Sequence, residues 1–162
     1  MDADSTTNIK LGIIGGAGLL GSTTAFLVAT SGIMREIILY DPKDNVAKSH
    51  AMDIEQAVCE GSETKLRSGT LEELSTCDII LNTAGVPERA VASRDEFLAG
   101  NIEILRELAG RIRSWGTSPV IVSATNPIDV LNYKFFEMSG LPAERFVGFC
   151  RDRKSTRLNS SH

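Results

Sequence analysis

Lys10-Leu11-Gly12-Ile13-Ile14-Gly15, followed at once by Gly16-Ala17-Gly18-Leu19-Leu20-Gly21, is the stretch that decides the fold. The first part is a short continuous apolar run, the pattern of a strand buried on both faces. The second spells GxGxxG and leads directly into a helical pattern over 19–30. Gly16 is expected to permit the tight turn, Gly18 to let backbone approach a pyrophosphate, and Gly21 to let helix and strand pack closely. Backbone N–H groups at Leu19 and Leu20 would then face an anion, helped by the helix dipole.

Outward from this turn the same alternation continues. Strands are predicted over 36–41, 65–69, 77–83, 120–124 and 145–149. Helices are predicted over about 43–58, 94–115 and from Pro127 to near Gly140, with proline at the first helical position. Strand–helix alternation with continuous apolar strands implies a doubly wound parallel α/β sheet of six strands in one domain, with helices on both faces. The second strand ends in Asp41, about twenty residues after Gly21, where a carboxylate accepts bonds from adenosine ribose hydroxyls and repels a 2′-phosphate. The cofactor expected is therefore NAD rather than NADP. Gly15, Gly18 and Gly21 also fit GxxGxxG, the spacing of short-chain reductases and epimerases. Those need a tyrosine with lysine four residues on, whereas Tyr40 and Tyr133 are followed at that distance by Asp44 and Glu137.

Three further stretches resemble the lactate/malate dehydrogenase family: Asn82-Thr83-Ala84-Gly85-Val86-Pro87, Ser93-Arg94-Asp95-Glu96-Phe97-Leu98 with Asn101, and Val122-Ser123-Ala124-Thr125-Asn126-Pro127-Ile128-Asp129-Val130. The resemblance covers roughly residues 9–150. It implies cofactor contacts from Gly15 and the glycine turn, from Thr83, Ala84 and Gly85, and from Val122 and Asn126. It implies that Arg94 closes over substrate and polarises the reacting carbonyl, and that Asn126 holds the substrate oxygen, with a cis Asn126-Pro127 bond. The reaction implied is hydride transfer between NAD and a small 2-hydroxy acid, malate or lactate. Locally, Arg94 also reads as a helix-start residue and Asn126 as a helix N-cap.

Two departures stand out. Glu88 occupies the family's specificity position, where it would repel a dicarboxylate and gains nothing from pyruvate; Arg89 beside it is the other candidate. The proton-shuttling histidine of the family has no counterpart: His50 falls on the second helix, and His162 lies in the last stretch. Residues 152–162 match, codon for codon, the translation of a sequencing-library adapter. They are expected to be an artefactual tail, with a catalytic domain missing and the fragment itself inactive. Residues 1–8 are expected to form a disordered arm, and 9–151 the dinucleotide-binding domain. A non-enzymatic dinucleotide-binding module is the competing reading, with a short-chain reductase or epimerase relative third.

Composition narrows the classes. The 162 residues are 42% apolar and 23% charged, enough for one real core. A net charge of −4 argues against nucleic acid or an anionic membrane as partner. No apolar run nears the roughly 20 residues that span a bilayer. Cys59, Cys77 and Cys150 are widely spaced, as in a reducing, cytoplasmic compartment. No metal-ligand spacing occurs. A homo-oligomer through the second helix is what the resemblance implies.

Overall fold

The computed structural model describes residues 8–86 and 93–149. The expectations for the N-terminal arm, for Glu88 and Arg89, for Cys150 and for the 152–162 tail fall outside those residues.

The chain forms β1 (Lys10–Ile14), α1 (Leu19–Ser31), β2 (Glu36–Tyr40), α2 (Asp44–Val58), β3 (Lys65–Ser68), β4 (Ile79–Asn82), α3 (Arg94–Ser114), β5 (Val120–Ser123), α4 (Ile128–Ser139) and β6 (Phe146–Gly148). Short 3-10 turns at Glu72–Thr76 and Ala143–Arg145 lead into β4 and β6. All strand pairs are parallel, in the order β3-β2-β1-β4-β5-β6. The chain thus winds outward from β1 in one direction, returns to β1's other side at β4, and winds outward again.

Period-two alternation explains why the strands read as uninterrupted apolar runs. Leu11, Ile13, Ile37 and Leu39 point to one face and pack against Ala25 and Ala29 of α1 and Ala47, Ala51, Ile54 and Val58 of α2. Ile14, Ile38, Ile80 and Ile121 point to the other, against Leu105, Leu108 and Ile112 of α3 and Leu131 and Phe135 of α4. The central strands β1, β2 and β4 serve both cores, so neither of their faces can be polar, whereas edge strand β3 buries only Leu66. The small alanines on α1 and α2 let those helices lie close to the sheet.

Several boundaries differ from the sequence reading for identifiable reasons. Cys77 caps the 3-10 turn, its N–H donating to Leu74 O, so β4 starts only at Ile79. Pro127 is not the first helical residue. It is extended (φ −73°, ψ 123°) and stands at the cap position, which displaces Asn126 from the N-cap role; the Asn126-Pro127 bond is cis. Arg94 does not cap α3 either: the Ser93 hydroxyl accepts from Glu96 N–H and takes that place.

Candidate functional site

The carboxyl ends of β1 and β4, neighbours that lead to opposite halves of the sheet, open a crevice at the reversal of strand order. In open α/β sheets this is where ligands bind. One wall is the glycine turn. Gly15 and Gly16 N–H both donate to Tyr40 O at 2.9 Å, and Gly18 N–H donates to Gly15 O at 3.0 Å. The left-handed residue is Gly15 (φ 88°), not Gly16 as the motif suggested. Gly16 is required for another reason: a Cβ there would stand 2.8 Å from Leu39 Cβ, so the turn lies directly on β2. Gly21 has the role expected of it, since a Cβ would meet Gly15 O at 2.3 Å.

The start of α1 differs from the other helix starts. Asp44, Asp95 with Glu96, and Asp129 stand in the first turns of α2, α3 and α4, whereas α1 has no acid there; like α2 and α4 it also has no side-chain cap. Its first-turn amides have no acceptor within the helix. Leu19 is 85% exposed, an odd place for a leucine unless something covers it. An anion fits this end on charge and on hydrogen bonding.

Asp41 closes that wall. One carboxylate oxygen accepts from Ala17 N–H at 3.2 Å and the other from Lys43 N–H at 2.9 Å. The acid therefore ties the glycine turn to the end of β2 and remains part-exposed beside it.

The opposite wall is the backbone after β4. Thr83 N–H and Oγ1 both donate to Ile14 O, at 2.9 and 2.8 Å, which fastens the two strand ends together. Ala84 and Gly85 follow, half-buried and exposed. Val122 lies within β5, paired in register with Leu81. Asn126 is exposed beyond the end of β5, and its backbone O accepts from Asn101 Nδ2 at 3.4 Å. Arg94 is exposed in the first turn of α3. Among the described site residues, the glycine turn, Asp41 and Thr83 share direct bonds.

The motif reading did not single out Asn82 and Thr125. Both are buried, and they join the loops after β4 and β5. The signal was present: Asn82 is a lone polar residue at the end of an apolar strand. Beside it in register is Ser123, fully buried, with a hydroxyl lacking any hydrogen-bond partner.

His50 lies on α2. It lines a groove of about 300 Å³ with Ser22, Thr23, Phe26, Asp53 and Ile54. Burial pushes the Cys77 thiol up to about 11, so it stays protonated and unreactive near neutral pH. Among the described residues no cluster of three or more His, Cys, Asp or Glu side chains is placed to hold a metal, and no helix is long and apolar enough to cross a membrane.

Residues 9–148 match the family model described as lactate/malate dehydrogenase, NAD binding domain. A malate dehydrogenase from Pelagibacter ubique is 36% identical over 152 residues, covering 92% of this chain and 47% of that protein. A minor L-lactate dehydrogenase from Enterococcus mundtii, solved in a ligand-bound form, superimposes with a TM-score of 0.80 at 30% identity, over 86% of this chain and 44% of its own. A lactate dehydrogenase from Eimeria maxima, solved with NADH and oxamate, does so with a TM-score of 0.76 at 27% identity, over 89% and 44%. The chain thus spans about half the length of the relatives it matches.

Proposed function

This chain belongs to the lactate/malate dehydrogenase family through its NAD-binding domain, and from that premise we propose that its crevice holds NAD for oxidation of a small 2-hydroxy acid to its 2-oxo acid. The observation that carries the reading is the uncapped, acid-free start of α1, set by Gly15 and Gly21 beside Asp41 at the reversal of strand order. The α1 amides would take the pyrophosphate, and Asp41 the adenosine ribose. Thr83, Ala84, Gly85, Val122 and Asn126 line the second half of the path. When bound, NAD supplies the hydride acceptor.

In the parent enzyme, Arg94 would stabilise negative charge growing on the substrate oxygen, an interaction worth about 3 kcal/mol when preorganised. Asn126 can both donate to and accept from the same ligand. Glu88 or Arg89 would choose the acid, leaving malate, lactate and related acids as candidates. No described residue fills the proton-shuttling role. His50 is turned to the α1–α2 groove, and the fragment alone should bind cofactor without turning substrate over.

We also read the α1–α2 face as a contact between copies. Phe26, Leu27 and Met52 lie exposed there, and α1 carries apolar residues on both its inner and outer sides. Free Cys59 and Cys77 fit a reducing, cytoplasmic setting.

The test is a fluorescence titration of the 162-residue chain with NADH and NADPH. NADH should saturate, and NADPH should bind at least about tenfold more weakly. Asp41→Asn should shrink that preference by removing the charge that opposes a 2′-phosphate. No saturable NADH binding at millimolar concentration would overturn the reading.

A further inference from the structure

Beyond the crevice walls, a closed ring of hydrogen bonds joins the strand ends of the second half. Asn82 ends β4 with none of its surface exposed. Its Oδ1 accepts from Ala84 N–H at 3.2 Å, and its Nδ2 donates to Thr125 Oγ1 at 3.0 Å. Thr125 Oγ1 in turn donates to Ala84 O at 2.8 Å. Ala84 is thereby held through both its N–H and its C=O. The backbone O of Asn82 also accepts from Ala124 N–H at 2.9 Å. From α3, buried Asn101 adds a brace: its Oδ1 accepts from Val86 N–H at 2.8 Å, and its Nδ2 reaches Asn126 O.

We propose that Asn82 and Thr125 are positioning residues that fix the gap between the loops after β4 and β5, and so shape the nicotinamide half of the crevice. The inference rests on the reading that the crevice holds NAD. The Asn82–Thr125 bond by itself could be replaced by apolar groups of the same shape at little cost; what requires these two side chains is Ala84, whose backbone N–H and C=O they pair. A polar pair retained there makes a directional demand that a leucine could not meet, because only hydrogen bonds fix Ala84's peptide orientation. Its place is also specific. The first half of the sheet takes the adenosine side of a dinucleotide, and this ring sits wholly on the second half.

The experiment compares two ligands on the 162-residue chain: NADH, and ADP-ribose, which lacks the nicotinamide. Thr125→Val keeps the shape and removes the hydroxyl. It should weaken NADH about tenfold, with ADP-ribose changed less than about twofold. Thr125→Ser, which restores the hydroxyl, should recover NADH affinity. Thr125→Ala carries the same expectation as valine if the branched side chain prevents folding. Equal losses for both ligands, or no loss for NADH, would overturn the proposal, since a general weakening of the fold cannot separate them. Failure of the unsubstituted chain to bind NADH would overturn the cofactor reading and this inference with it.

Discussion

The two halves of the crevice are built from different materials. Around β1 and β2 the wall is main chain: paired N–H groups from Gly15 and Gly16 on Tyr40 O, a glycine approach to Leu39, and one carboxylate, Asp41, bonded to amides. Around β4 and β5 the wall is main chain held by buried side chains, Asn82, Thr125 and Asn101. A backbone-built site needs the absence of side chains and writes itself into sequence as a glycine spacing. A side-chain-braced site needs only single polar residues, each of which also has ordinary uses. The first half can therefore be broken by adding atoms, and the second by removing them.

The largest effect should come from removal in the second half. Phe135 is fully buried and meets Phe146 edge-on, with ring centroids 5.6 Å apart, so it holds α4 against β6. Phe135→Ala should cost about 3–5 kcal/mol of unfolding free energy in urea. A loss under 1 kcal/mol would show that this half does not depend on its side chains.

Addition in the first half comes next. Gly21→Ala places a methyl where Gly15 O stands at 2.3 Å, so α1 must shift off the strand. The cost should be about 1–3 kcal/mol, with NADH binding lost even where the domain stays folded. Retained binding would show that the turn tolerates displacement and is not the fixed wall described above.

The smallest effect sharpens the contrast from the far end of the sheet. Glu36 is bridged by Lys10 at 3.1 Å and Arg67 at 2.9 Å. Burial alone would raise its carboxyl; the bonds to Arg67 and Lys10 outweigh that and hold it below the ordinary value of 4.5. A lowered carboxyl contributes stability above its unfolded pKa and loses it as pH falls through the folded one. Glu36→Gln should therefore cost about 1 kcal/mol near pH 7, with the two stability curves converging as the pH falls below 4.5. Parallel curves across that range would remove the ion pairs from the account.

Much of this architecture was legible before any coordinates. Five apolar runs and the short, mixed run at 65–69 became six strands, and Gly21 packs against the strand end as its spacing predicts. What could not be read was geometry that spacing leaves degenerate. Gly15 and Gly16 are adjacent, and only the backbone angles decide that Gly15 makes the turn. Asn126-Pro127 fits a capped helix start equally well in sequence; the proline's extended conformation puts it, not the asparagine, at the cap. Asn82 and Thr125 lie 43 residues apart, so their bond exists only once β4 and β5 pair.

The position of β1 has a consequence for synthesis. Among the described strands it is the first made and lies at the centre of the sheet, yet its partner β4 is joined to it across a span of 69 residues, as in the Thr83–Ile14 bond. At about 5–20 residues per second, a ribosome takes seconds to deliver that partner. During the wait the nascent chain can pair β1 only with β2, leaving its other edge open to any passing strand. The strand whose end borders the crevice is thus the earliest of the described strands to emerge, yet its second edge is covered only after β2 and β3 have been made.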